Sequence, residues 1–214
     1  MTLLMATTNE GKLQEIRLLL ADLPIELVTL AGWPDLAAPE ETGRTFAENA
    51  RLKACYYAAV SGLLTVAEDS GLEIDALGGA PGVDSARFGG THTSYPQKFA
   101  LIYDRLRAGA PMAPTARFVC ALALAENGRI VYEARGALEG RIASEPRGNG
   151  GFGYDPIFFY PPLGCTLAEA ADRKSAVSHR GAAFRVLREH LEARRRLSEE
   201  RERRVLVDRR GMTP

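Results

Sequence analysis

Neither sign of charge prevails in this chain. Its 214 residues carry 27 lysines and arginines against 27 aspartates and glutamates. No global field therefore recruits nucleic acid or an anionic membrane, and any affinity for anions has to come from local clusters. Cysteine is scarce. Cys55, Cys120 and Cys165 are odd in number and far apart, with no C-x-x-C pair. That argues against a disulfide frame and against a thiolate zinc site. No apolar run reaches membrane-spanning length. The opening Met1-Thr2-Leu3-Leu4-Met5-Ala6 is too short for a signal peptide and lacks its basic start. The expected setting is reduced and cytoplasmic. Repeats and low-complexity segments are missing too. A chain of this length can bury one good core, or two lobes around one cleft.

What is present is concentrated in a few polar stretches. The first is AEDSGLEIDALGGAPGVDSARFGG, residues 67–90. An apolar run, 63–67, meets Glu68-Asp69-Ser70-Gly71. The pattern predicts a short buried strand that delivers two carboxylates and a hydroxyl to a glycine turn. Beyond a nearly side-chain-free loop, 78–82, comes Asp84-Ser85-Ala86-Arg87. Carboxylates here suit a hard cation, and the arginine suits an anion. On this stretch alone, a polar turn between two strands is an equally open reading.

The remainder alternates strand and helix. Residues 3–6 predict a strand, followed by Thr7-Thr8-Asn9-Glu10-Gly11-Lys12 and a helix with Leu13, Ile16, Leu19 and Leu20 on one face. Asn9 is a suitable N-cap, and a helix start with free N–H groups beside Lys12 favours phosphate. The spacing is not that of a P-loop. Residues 25–30 predict another strand, and 31–43 a loop ending in Glu40-Glu41. Thr45 to Glu48 is a capping box for a helix stopped by Gly62, with Asn49 and Lys53 on its polar face. A helix over 94–107 ends at Gly109-Ala110-Pro111. Strands 116–125 and 129–137 flank Asn127-Gly128, the signature of an antiparallel hairpin, so the sheet is mixed.

The second polar stretch is GNGGFGYDPIFFY, residues 148–160. Its glycines match the dinucleotide spacing, but a proline and a strand-forming run follow where a helix should open, so that reading fails. A glycine loop that projects Phe152, Tyr154 and Asp155 fits better, and a ring beside bare backbone suits a stacked nucleobase. Thr166 to Glu169 predicts a second capping box on a short helix. Lys174, His179 and Arg180 then gather at a helix start, against the dipole, which points to an anionic or carbonyl-rich ligand. The helix they open should run into solvent, supported by Glu192/Arg196, Glu199/Arg203 and Glu200/Arg204 pairs, with residues 211–214 frayed.

Five segments in order, ATTNEGKLQEI (6–16), EETGRTFAENARLKA (40–54), AEDSGLEIDALGGAPGVDSAR (67–87), GGFGYDPIF (150–158) and RKSAVSHRG (173–181), resemble the inosine triphosphate pyrophosphatase family, also called dITP/XTP or non-standard purine NTP pyrophosphatases. The match is closest to the bacterial-type members. The resemblance implies an α/β fold with an elongated mixed central sheet and two lobes flanking an active-site cleft. It spans about residues 1–196, with 197–214 a charged extension. It implies a homodimer that hydrolyses ITP, dITP and XTP to the monophosphate and pyrophosphate with Mg²⁺. Its phosphate turn falls on Thr7, Thr8, Asn9, Glu10, Gly11 and Lys12, to which Lys53 adds charge. Its metal-binding acid falls on Glu40, with Glu41 and Glu68 as the alternatives. Its essential aspartate, base and metal ligand, is Asp69, with Ser70 beside the substrate. Its base-binding residues are Phe152, Gly153, Tyr154, Asp155, Lys174, His179 and Arg180. Glu68 stands where many members carry aspartate.

Overall fold

The computed structural model describes residues 1–107, 109, 113–170 and 173–210. One seven-stranded mixed sheet organises it, in the order β2-β1-β3-β4-β5-β6-β7. The strands are β1 (Thr2–Met5), β2 (Glu26–Thr29), β3 (Leu64–Ile74), β4 (Thr115–Glu126), β5 (Arg129–Ile142), β6 (Phe158–Tyr160) and β7 (Cys165–Thr166). β1 pairs in parallel with β2 and β3, and the remaining ladders are antiparallel. The β4–β5 hairpin turns on Asn127 and Gly128, both left-handed at φ 51° and 73°. These are the backbone angles that an Asn-Gly turn supplies most cheaply.

Among the described residues five α-helices cover the sheet: α1 (Glu10–Leu20), α2 (Phe46–Ser61), α3 (Tyr95–Arg107), α4 (Lys174–Val177) and α5 (His179–Arg210). Strand alternation decides what each packs against. Leu3, Met5, Val66, Leu122 and Leu124 form a core with α1 and with Ala183, Phe184, Leu187 and Leu191 of α5. Leu4, Ala67, Ala123 and Ala125 pack with Ala50, Ala54 and Ala58 of α2, where small residues on both sides bring helix and sheet close together. A separate cluster fills the far end of the sheet, joining Leu72, Ile74 and Phe118 to Phe99, Ile102, Tyr154 and Phe158. One sheet thus carries two lobes.

The register creates an opening between them. β1 stops at Met5, paired beside Val66. β3 continues to Ile74, held by β4 on its other side. Past Val66, one edge of β3 is therefore free of β1. Glu68, Asp69 and Ser70 lie in this stretch, in mid-strand. This corrects the expected turn: the carboxylates stay in extended backbone because β4 pairs with every residue from Thr65 to Ile74.

Two further expectations change. The Thr166–Glu169 box forms both of its hydrogen bonds, Thr166 N–H to Glu169 at 2.8 Å and Glu169 N–H to Thr166 Oγ1 at 3.3 Å. Residues 167–170 nonetheless make only a turn, so the capping chemistry closes a bend and no helix follows within them. Among the described residues of α5 the i,i+4 pairs formed are Arg188–Glu192 and Arg195–Glu199, out of phase with the three expected. The helix runs unbroken through residue 196. The expected helix stop at Ala110-Pro111 and the fraying of 211–214 lie outside the described residues. Among the described residues no helix is long and apolar enough to cross a membrane.

Candidate active site

A cavity of about 170 Å³ lies at the free edge of β3, and residues from both faces of the sheet line it. Alternation explains how. Glu68 and Ser70 point to the α1/α5 face, where Arg180 Nη2 reaches Glu68 at 3.3 Å and Ser70 Oγ at 3.0 Å. Asp69 points to the α2 face, where Asn49 Nδ2 and Lys53 Nζ donate to its two oxygens at 3.1 and 3.2 Å. With β1 ended, nothing of the sheet separates the two sets at that edge.

On the α2 side the capping box of Thr45 and Glu48 starts the helix one turn before Asn49 and two turns before Lys53. The helical period then aims both at Asp69. Asn49 is fully buried, and its Oδ1 accepts from Gly43 N–H at 2.8 Å, which holds the 40–43 loop against the site. That loop brings Glu41 to Lys53 Nζ at 3.1 Å. Glu41 lines the cavity, whereas Glu40 is exposed. The carboxylate turned inward is therefore that of Glu41 and not the expected Glu40. Burial raises the Asp69 carboxyl above its ordinary value, partly offset by the cations Lys53 and Lys12, with Glu41 adding to the rise. For Lys53, burial acts downward, but Asp69, Glu41 and Glu68 outweigh it and its ammonium is held above the usual range.

On the α1/α5 side a chain of alternating charge runs beneath the cavity. Lys12 Nζ meets Glu68 at 2.9 Å, and Glu68 meets Arg180. Arg180 meets Glu15 at 2.5 Å, Glu15 meets Lys174 at 3.2 Å, and Lys174 meets Asp155 at 2.6 Å. Burial alone would raise Glu68, but Arg180, Lys12 and Lys53 together pull it far below the carboxylate range. The two fixed cations of that cluster, Lys174 and Arg180, are thus each matched by carboxylates. The chain offers hydrogen-bond donors with little net charge, which favours a carbonyl-rich ligand over an anion at this position.

Phe152 is half-buried above this chain. Lys174 Nζ lies 4.2 Å from its ring centroid, and the Arg180 guanidinium 5.8 Å. A Cβ on Gly11 would sit 3.0 Å from the same ring, so the absence of a side chain on α1 gives the ring its place. Tyr154 and Asp155 do not project as expected. Tyr154 is buried, its hydroxyl donating to the Ser85 carbonyl at 2.8 Å. Asp155 is buried as well, accepting from Phe152 N–H at 2.8 Å and so tying the loop down. His179 stacks on Phe118 at 5.0 Å, and its Nδ1 is buried without a partner among the described residues. Burial and the adjacent Arg180 cation push the imidazole well below its ordinary value, so it is neutral at pH 7.

Residues 3–190 match the Ham1 family. The chain belongs to the Ham1 family. It is 48% identical over 188 residues to a dITP/XTP pyrophosphatase of Exiguobacterium sp. AT1b, a match that covers 87% of this chain and 95% of the relative. It is 46% identical over 190 residues to a dITP/XTP pyrophosphatase of Geobacter sulfurreducens, with 88% and 96% covered. Among solved structures, the HAM1 protein of Coxiella burnetii superposes with a TM-score of 0.84 at 39% identity, over 90% of this chain and 99% of that one.

Within this Ham1 chain the cavity brings together most of the expected site. Asn9, Lys12, Asp69, Ser70, Phe152, Gly153, Tyr154, Asp155, Lys174, His179 and Arg180 all line it, and Lys53 reaches it through Asp69 and Glu41. Thr7, Thr8 and Glu10 do not. They line a neighbouring hollow with Trp33 and Tyr57, and Thr7 Oγ1 instead accepts from Asn9 N–H at 3.2 Å, supporting the cap. Ser85, Ala86, Arg87, Tyr95 and Phe118 also line the cavity without being among the expected site residues, and two further residues act on it from behind. Glu15 bridges Lys174 and Arg180, and its position three residues after Lys12 on an amphipathic helix was the available signal. Asn49 orients Asp69 from a position marked only by its place on the polar face of α2.

Proposed function

We propose that this chain is a nucleoside triphosphate pyrophosphohydrolase acting on ITP, dITP and XTP. The observation that carries the proposal is a single cavity joining two sets of groups. One set is a stackable ring among neutralised donors, Phe152 with Lys174, His179 and Arg180. The other is Asp69 and Glu41 sharing Lys53, near Lys12 and the α1 start. The names of the relatives point to the same reaction.

In this reading the triphosphate lies along Asn9, Lys12 and Lys53, where helix N–H groups and ammonium charge favour phosphate oxygens. Asp69, its basicity enhanced by burial, takes the proton of a water that attacks the α-phosphorus. The new O–P bond forms as the bond to the β-phosphate oxygen breaks. Pyrophosphate leaves beside Lys12 and Lys53, and the nucleoside monophosphate remains. The purine stacks on Phe152. Its C6 carbonyl is read by donors among Arg180, Lys174, His179 and the backbone. Adenine, with an amino group at C6, would leave those donors unpaired at about 1–3 kcal/mol each. Such a site rejects ATP by what it fails to satisfy.

Mg²⁺ belongs to the same proposal. Among the described residues no three carboxylate, histidine or cysteine side chains form a metal cluster by themselves. Mg²⁺ needs only one or two carboxylates when substrate phosphates complete its shell. Glu41 and Asp69, which converge on Lys53 Nζ, fit that requirement and are the residues that would hold it. When bound, the ion would neutralise developing charge on the phosphate oxygens. A homodimer, residues 1–196 as the catalytic unit, residues 197–214 as a charged extension, and a cytoplasmic setting complete the proposal; they rest on family resemblance and composition.

Purified protein incubated with ITP and Mg²⁺ tests the reaction. IMP and pyrophosphate are expected, with ATP turned over far more slowly. Release of IDP and orthophosphate would place attack at the γ-phosphorus and overturn the assignment.

A further inference from the structure

Lys98 has no role in the chemistry above, yet its charged side chain is buried. It lies on α3, only 3% exposed, whereas lysine is almost never buried without a partner. Among the described residues no carboxylate pairs with it. Its ammonium instead donates to two backbone carbonyls, Ala86 at 2.6 Å and Ser85 at 3.5 Å, and lies 4.6 Å from the centre of the Tyr95 ring. Burial pulls it below the usual lysine range, so the site pays for its charge without a counter-ion.

The segment it grips is a wall of the cavity. Ser85, Ala86 and Arg87 line it, as do Tyr95, Gly153 and Tyr154. Three other contacts tie this segment down. Tyr154 donates its hydroxyl to the same Ser85 carbonyl at 2.8 Å. Ser85 Oγ accepts from Leu72 N–H at 3.0 Å, on the strand that carries Asp69. A Cβ on Gly71 would come within 2.8 Å of the Gly82 carbonyl, so the segment lies against β3 with no room for a side chain. Tyr95 in turn packs edge-on against Tyr154, with centroids 5.3 Å apart. Lys98 thus ties residues 82–87 to the start of α3, and the glycine loop that bears Phe152 reaches the same Ser85 carbonyl through Tyr154.

We propose that Lys98 is a positioning residue for substrate binding, a buried cation that clamps the Ser85 and Ala86 carbonyls and thereby fixes the wall of the cavity relative to the Phe152 loop. Lys98 touches neither Asp69 nor the groups on Lys53, so its loss should loosen a binding surface and leave the reacting centre in place. Uniform weakening of ground-state and transition-state binding raises KM and spares kcat. The kinetic part rests on the ITP pyrophosphohydrolase reading; the structural part does not.

The test compares wild type with Lys98→Met, which keeps the apolar stem and removes the donors. Kinetics with ITP and Mg²⁺ are run well below the melting temperature of either protein. The expected result is a KM increase of roughly five- to twentyfold with kcat within about twofold. In parallel, amide exchange is followed without substrate. Asp84, Ser85 and Arg87 N–H groups are hydrogen-bonded within the segment, so they report on it directly. Their exchange should speed up in the variant while β3 and β4 amides stay unchanged. An unchanged KM, a kcat loss as large as the KM rise, or exchange that rises across the whole sheet would overturn the proposal. If Lys98→Met does not fold, Lys98→Gln keeps a shorter, uncharged donor at the same position. It should give the same pattern at roughly two- to fivefold in KM, and an unchanged KM in that variant counts equally against the clamp. If wild type fails to hydrolyse ITP, the functional reading falls, and the exchange data still decide the role of Lys98.

Discussion

Glu68→Gln probes the charge chain at its most buried link. The substitution keeps shape and removes one negative charge. The side chain of Glu68 is 1% exposed and sits between Lys12 at 2.9 Å and Arg180 at 3.3 Å. At an effective dielectric of about 20, each contact has a gross attraction of roughly 5–6 kcal/mol, most of it offset by the cost of burying the carboxylate. Removing one member of such a pair generally costs about 3–5 kcal/mol, because the remaining charge stays buried. Two features lower that figure here. The amide oxygen of glutamine still accepts one hydrogen bond, and Arg180 keeps Glu15 at 2.5 Å and Ser70 at 3.0 Å. Lys12, with 17% of its side chain exposed, can turn toward water. A loss of about 2–4 kcal/mol is expected, or roughly 5–15 °C in melting temperature for a chain of this size. Thermal and urea unfolding at low and high salt would measure it. Because the pair is buried, the loss should persist at high salt. A melting temperature within about 2 °C of wild type would refute the view that Glu68 anchors the two cations.

Asp69→Asn should retain the fold and lower kcat by about 10²–10⁴-fold, as loss of a general base does; near-normal turnover would move the base elsewhere. Arg180→Lys keeps the charge but not the planar fork, and should narrow the ITP/ATP ratio of kcat/KM by about tenfold. Phe152→Ala should weaken both substrates alike, and an unchanged ratio in Arg180→Lys would assign base choice to His179 or the backbone. His179 has a folded-state pKa below its ordinary 6.5. The unfolded chain therefore binds a proton there that the folded chain does not, and stability falls as pH drops below 6.5. Relative to His179→Gln, wild type should lose stability, on the order of 1 kcal/mol, between pH 7 and 5.5 in unfolding titrations, whereas a pH-independent difference would mean that the buried ring is not neutral. Deleting residues 197–214 should leave activity and a dimeric sedimentation coefficient intact; loss of either would give the extension a structural role.

What the sequence determined is what depends on near neighbours in the chain. The Thr45–Glu48 box, the Gly62 stop and the Asn127-Gly128 hairpin formed as read, because each satisfies backbone groups within four residues. The five family segments likewise placed most cavity residues, since each is a compact stretch of functional side chains. Where the expectations failed, the deciding partner was remote. Tyr154 is buried because its hydroxyl finds Ser85, 69 positions away. Arg180 at the α5 start is matched by a carboxylate because β3 delivers Glu68, 112 positions away, to the same face. Nothing in Glu40-Glu41 says which carboxylate turns inward; that depends on Asn49 capturing the loop through Gly43. The strand continues through Glu68-Asp69-Ser70 because β4 pairs with it there, overriding local turn chemistry. Above all, one cavity gathers groups from both faces of the sheet because β1 ends at Met5 while β3 runs on to Ile74. That difference in strand length acquires meaning only when the two strands lie side by side.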